Sequence, residues 1–179
     1  RNSARVLGRK REILQAASEI FRERGFHDTG MRDIAARLDI AVGKLYYYFR
    51  SKQALLAFCQ LDTLERLLAT ARRVGGWTGP GDQRLWLMIL GHVRCLNEGT
   101  LGSLAHLEIG SLDGAMRRRI CGLRDEYERA LRHMIAAAMD EGTLRQGDPK
   151  MAALAILGAT NWTALWYRPE GRVSARAVG

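Results

Sequence analysis

The chain lacks most of what an enzyme, a disulfide scaffold or a membrane protein is built from. Its three cysteines, Cys59, Cys95 and Cys121, are isolated and odd in number. Neither a disulfide framework nor a paired-cysteine site is indicated, and a reducing cytoplasm is the expected compartment. The arginine-rich start has no apolar stretch behind it, so it does not read as a signal peptide. The longest uncharged run, residues 151–167, is about the minimum that spans a bilayer. Thr160, Asn161 and Thr163 interrupt it, so a buried or subunit-facing helix fits better. No strand pattern, low-complexity tract or repeat appears. There is also no nucleophile elbow, phosphate loop or metal motif. His92 and Cys95 share a helix face at a spacing of three. His106 and Glu108, two apart, point in different directions, and no third group orders either pair. We therefore expect neither an enzyme nor a cofactor, and read His92 with Cys95 as a structural pair before a zinc or copper site.

What the chain does contain is an ordinary globular composition, 47% hydrophobic and 26% charged, with an uneven positive charge. Residues 1–52 carry 12 Lys or Arg against 6 acids, and the remaining 127 residues carry 16 against 13. A field concentrated on the amino-terminal third suits a polyanionic partner.

That third centres on Thr29 to Lys52, "TGMRDIAARLDIAVGKLYYYFRSK". Met31, Ile34, Ala35 and Leu38 recur at helical spacing; Asp39 and Ile40 break the pattern; Val42, Leu45 and Phe49 begin a second set. At about 100° per residue, Leu45 and Phe49 share a face with Val42, while Gly43, Lys44 and Tyr47 point the opposite way. Tyr46 and Tyr48 flank that outward face. Tyrosines also serve as packing, but three beside Lys44 and Lys52, on a helix whose core duty Leu45 and Phe49 already meet, favour a helix-turn-helix reader.

The first helix is expected over 9–24, ending at Gly25 with Phe26 folded back on Phe21. Ser51 is positioned to cap a fourth helix reaching about Arg73, with Leu55, Phe58, Cys59, Leu61, Leu64 and Leu68 inward. After the loop "GGWTGPGD" come helices at roughly 82–97, 101–111, 114–141 and 148–167. The expected fold is all-α, with a helix-turn-helix DNA-binding domain over 1–50 and a second helical domain over 51–179.

A helix ending in Gly-Phe, then "RDIAARL", then "VGKLYYYFRSKQALL" resembles the TetR family of transcriptional repressors across Arg9 to Leu56. The resemblance implies an all-helical homodimer that binds a palindromic DNA operator and is released by a small ligand in its carboxy-terminal domain. By position it implies base-facing roles for Val42, Gly43, Lys44 and Tyr47, a base or phosphate contact for Arg32, and phosphate contacts for Thr29, Tyr46, Tyr48 and Lys52. Hydroxyls and an ammonium on the flanks agree with that division. Two positions depart from the family pattern: Asp39 stands where glycine is usual, tolerable because Asp visits left-handed geometry, and Ala41 stands where a capping serine is usual.

"LRDEYERAL" and "DPKMAALAILGATNWTALWYRPEGRVS" are similar to family members whose effectors are acyl-CoA thioesters. That resemblance implies an apolar cavity with a few polar anchors, for which Trp86, Met88, His92, Cys95, Leu104, Tyr127, Met134, Asn161, Trp162 and Trp166 are candidates. Each alone fits plain core better. Arg117, Arg118, Arg119 and Arg124 are candidates for a CoA phosphate, with a solvated basic face as the simpler role. Ala153, Ile156, Leu157 and Thr160 would suit a dimer seam. Relatives with this tail commonly continue into a further packing helix, so either the sequence given lacks its last residues or the seam rests mainly on the 148–167 helix. The competing function is a DNA coat without a sensor, which would show no preferred site and a steep loss of affinity with salt.

Overall fold

The computed structural model describes residues 2–97 and 109–167. Among these residues there are seven α-helices, one 3-10 turn and no strand: α1 (Asn2–Arg24), α2 (Met31–Arg37), α3 (Val42–Tyr48), α4 (Lys52–Gly75), α5 (Gly81–Asn97), the turn Ile109–Ser111, α6 (Gly114–Asp140) and α7 (Pro149–Trp166). None of the described helices is long and apolar enough to cross a membrane.

Local chemistry accounts for most boundaries. Helix α1 stops at Gly25, whose φ of 85° is available to glycine without a Cβ penalty. Its N–H returns to the Phe21 carbonyl at 2.9 Å, and Phe26 packs edge-on against Phe21 with ring centres 5.1 Å apart. This is the expected cap. The helix begins at Asn2, well ahead of the expected start at residue 9. No proline blocks the extension, and Ala4 and Arg5 are good helix formers. Asp39 takes φ 50° in the turn between α2 and α3. The Ser51 hydroxyl accepts from the Ala54 N–H at 3.1 Å to open α4, and Asp148 accepts from the N–H groups of Lys150 and Met151 to open α7. Ala41 opens α3 with no side-chain cap.

Helices α1, α2 and α3 form a small head around Ile13, Leu14, Ile34, Ala35 and Leu45, all fully buried. Helix α4 carries this core into the body, where Leu64, Leu67, Met88, Ile120, Leu131 and Ile135 belong to the same cluster. A head of about 50 residues buries too little apolar surface to stand firmly alone, so continuity through α4 matters to its stability. On α4 the buried line runs Leu55, Leu56, Cys59, Thr63, Leu67, Ala71 and Val74, while Phe58 and Leu61 are only half-buried. In the body, α5 meets α6 so closely at Gly81 that an added Cβ would lie 2.6 Å from the Cβ of Ala138.

Candidate DNA-reading surface and effector core

The reading helix is held by a buried spine. Leu45 and Phe49 are 0% and 3% exposed, and Val42 is half-buried against the same core. Their burial leaves Gly43, Lys44, Tyr46 and Tyr47 on the open side, with Tyr47 78% exposed. A Cβ added at Gly43 would meet nothing within 4 Å. Tyr48 is half-buried with its ring edge-on to Tyr47, centroids 5.1 Å apart. Arg32 is exposed on α2. Arg37 ties α2 to α1 through Glu23 at 2.6 Å and Glu19 at 3.7 Å, and Glu23 raises its pKa through that hydrogen bond.

Two of the expected phosphate contacts have other work. Thr29 is 1% exposed, and its hydroxyl donates to the Gly25 carbonyl at 2.8 Å. The Lys52 ammonium donates to the carbonyls of Phe26 at 2.6 Å, Thr29 at 2.9 Å and His27 at 3.3 Å, and lies 4.3 Å from the Phe26 ring centre. Three N–H bonds engage all three ammonium hydrogens. Lys52 therefore anchors the α1–α2 loop to the start of α4, and the hydroxyl of Thr29 serves the same loop.

Sequence reasoning misses Arg5 and Arg9. Arg5 stands on the extended start of α1 and Arg9 at the expected start, and they wall a groove of about 560 Å³ together with Gly8, Glu12, Lys44 and Tyr48. Arg9 is also paired with Glu12. The arginine-rich opening of the chain is the available signal, and the extension of α1 to residue 2 is what brings it beside α3.

In the body, three of the expected effector residues meet in a packed polar row. His92, 3% exposed, is bonded through Nδ1 to the Tyr127 hydroxyl at 3.1 Å and through Nε2 to Asn161 Oδ1 at 3.1 Å. Both ring nitrogens are thus occupied. Cys95 Sγ instead points to the Thr63 carbonyl, at 3.8 Å. Met88 and Met134 are buried in the shared core. Next along α6, Arg124 donates to Gln60 Oε1 at 3.1 Å, while the Gln60 amide nitrogen is buried without a partner. Burial lowers the pKa of Arg124. This separates Arg124 from Arg117, Arg118 and Arg119, which stand nearer the start of α6 and are largely open to solvent.

The remaining expectations for the body are corrected by exposure. Trp86, Trp162 and Trp166 are 41%, 64% and 47% exposed, so they line no interior cavity. Leu104 lies outside the described residues. Ala153 and Thr160 are buried, and Ile156 and Leu157 pack half-buried against the chain's own core. They lie on the inner face of α7, with Ala153 and Thr160 turned into the chain's own core. The open face carries Met151, Leu154, Trp162, Leu165 and Trp166.

Burial lowers the pKa of His92 from 6.5 to about 4, with the Asn161 hydrogen bond opposing. Between those values the unfolded chain takes up a proton that the folded chain excludes, so stability rises with pH across the window and falls on acidification. The loss expected by pH 4.5 is on the order of 2 kcal/mol. Urea melts at pH 7 and 4.5 check it: His92→Gln should lose less stability than wild type over the same interval.

Residues 78–179 match the family described as "Tetracyclin repressor-like, C-terminal domain", and residues 13–58 match "Bacterial regulatory proteins, tetR family". Among relatives, the transcriptional repressor KstR2 of Rhodococcus jostii is 26% identical over 96% of this chain and 85% of its own. The structure of the regulator PfmR from Thermus thermophilus superposes with a TM-score of 0.85 at 30% identity, covering 93% of this chain and 91% of that one. AibR, solved with isovaleryl coenzyme A and operator DNA, has the same fold, with a TM-score of 0.79 at 24% identity over 95% and 93% of the two chains. A head with a buried helix-turn-helix spine, a helical body continuous with it and matches across both parts agree: the chain belongs to the TetR family of transcriptional regulators.

Proposed function

We propose that the protein is a homodimeric repressor that sets two copies of α3 in successive major grooves of a palindromic operator and is released by an acyl-CoA thioester. The observation that carries the DNA part is the division of α3 and its cap into a buried side, Leu45 and Phe49, and an open face bearing Gly43, Lys44 and Tyr47. Arg32, Tyr46 and Tyr48 belong beside it, with Arg5 and Arg9 as additional cations for the DNA backbone. We divide the chain at residue 51, where the cap of α4 couples the head to the body. The effector class is supported by AibR, whose complex contains isovaleryl coenzyme A and operator DNA. In this chain the Gln60–Arg124 and Tyr127–His92–Asn161 groups are the buried polar groups that such a ligand would engage, in exchange for their present bonds to one another. The open face of α7 is the dimer surface in this reading. A DNA-binding regulator of this kind needs no catalytic group.

Selection of random-sequence DNA with the full chain tests the proposal. A two-fold symmetric site that survives competitor DNA supports it, and binding without preference would return the protein to the sensorless coat. Release by isovaleryl-CoA or lauroyl-CoA tests the effector, because a ligand shifts DNA binding only by its differential affinity for the two states. Two substitutions separate the contacts. Lys44→Ala is expected to cost about 1–3 kcal/mol at the selected site and far less on unrelated DNA, if the lysine meets a guanine edge. Arg5→Ala should weaken both equally and reduce the slope of log affinity against log salt by about one. Titrations at three salt concentrations read both.

A further inference from the structure

A second candidate ligand site lies away from the polar row of the body. A groove of about 750 Å³ runs between the carboxy-terminal end of α4 and the outer face of α5, within the size range of small-molecule sites. Val74, Trp77, Leu87 and Leu90 give it apolar walls, and Arg72, Arg73 and Arg94 stand around it. No acid is among its described lining residues. The two helices touch at one edge, where a Cβ on Gly91 would come within 2.6 Å of Thr70 Cγ2.

An arginine in the last turn of a helix answers that helix's own terminal carbonyls, which accounts for Arg72 and Arg73 on α4 and for Arg94 on α5 taken singly. It does not account for their convergence from two helices on one cavity, nor for the half-exposed tryptophan and two leucines between them. Guanidinium groups beside apolar walls favour a ligand that is anionic at one end and hydrocarbon at the other.

We infer that the α4–α5 groove binds an amphipathic anion, an acyl chain bearing a phosphate head, with the head at Arg72, Arg73 and Arg94 and the chain along Trp77, Leu87 and Leu90. The site is separate from the Tyr127–His92–Asn161 row and needs no CoA moiety. Its place gives it a lever: α4 starts at the Ser51 cap and the Lys52 anchor of the head and ends in this groove. An occupant that wedges the end of α4 from α5 acts on the same helix that carries the reader.

Dodecyl phosphate below its micelle concentration is the probe, titrated into the full chain by calorimetry with dodecanol and inorganic phosphate as controls. One molecule per chain is expected, bound at least tenfold more tightly than either control. Arg72→Gln/Arg73→Gln/Arg94→Gln and, separately, Leu90→Glu should each weaken it at least tenfold, while Tyr127→Phe leaves it unchanged. Quenching of tryptophan emission by 12-bromododecyl phosphate is an independent readout: it should be strong in wild type and largely lost in Trp77→Phe, a variant that keeps an aromatic ring at the site. Undiminished affinity in the triple variant, equal binding of dodecanol, or quenching that survives Trp77→Phe would each overturn the inference. Failure of the effector reading looks different. If dodecyl phosphate binds in the groove while no thioester releases DNA, the effector reading alone falls. If lauroyl-CoA releases the operator while dodecyl phosphate binds no better than dodecanol, the groove alone falls.

Discussion

Lys52→Met is expected to destabilise the protein by about 3 kcal/mol, and to lose DNA affinity because the head loosens. The ammonium closes a cage made by the carbonyls of Phe26, His27 and Thr29 and by the Phe26 ring. Methionine keeps most of the stem and removes every donor. Hydrogen bonds to a charged group contribute about 1.5–3 kcal/mol each, and a cation over an aromatic ring about 0.5–2 kcal/mol. Lys52 is only half-buried, so water re-satisfies part of what is lost and the full sum does not apply. Lys52→Arg should recover part of the loss, because a planar guanidinium keeps the charge but does not match three carbonyls arranged around a point. Denaturant midpoints, read beside DNA titrations at several salt concentrations, decide between the anchor and a phosphate clamp. An unchanged midpoint with a salt slope lowered by about one would assign Lys52 to the DNA.

How much of this is legible in the sequence depends on the range of the interaction. Periodicity finds Leu45, the buried residue of α3, and also picks out Phe49, which is buried although its backbone has already turned extended at the helix cap. Gly25, Asp39 and Ser51 are readable as well: a left-handed turn or an N-cap is written within a few residues. The cage around Lys52 is not readable, since it joins residues 23 to 26 positions apart. One local clue exists. A lysine in the first turn of a helix opposes the helix dipole, and a broken local rule points to a tertiary role. The body fails differently. Helix α7 is apolar on all sides, so its pattern gives no angle to choose between faces, and Ala153, Ile156, Leu157 and Thr160 form the inner one. The family resemblance makes Trp86, Trp162 and Trp166 candidates for a cavity lining, yet each is more than 40% exposed, because no local pattern shows which side of its helix the chain's core covers. The groove itself depends on where α5 lies against the end of α4, and no pattern within either helix records that.

The outer face of α7 leads to the second expectation: Leu154→Glu/Trp162→Glu should convert a dimer into a monomer and reduce affinity for a full palindrome by roughly a thousandfold. At about 100° per residue, Met151, Leu154, Trp162, Leu165 and Trp166 lie within about 60° of one line along the helix, with Ala155 and Gly158 completing the strip. Residues 153, 156, 157 and 160 lie on the other side. A strip of large exposed apolar side chains marks an association surface, and two-fold symmetry sets it against its own copy. Two glutamates per protomer would bring four carboxylates into one apolar contact, each desolvated without a partner, which association cannot offset. The chain's own fold should survive, because both side chains already face solvent. Tying two readers together contributes about 10²–10⁴ in avidity, and that gain disappears with the dimer. Binding to an isolated half-site should therefore stay the same while binding to the palindrome collapses. Sedimentation equilibrium with paired half-site and full-site titrations reads all three quantities, and Ala153→Glu is the internal contrast. Its side chain enters the chain's own core at a position that is 0% exposed, so it should lower the melting midpoint at any protein concentration. A double variant that remains dimeric, or an Ala153→Glu protein that is folded and merely monomeric, would put the interface back on the inner face.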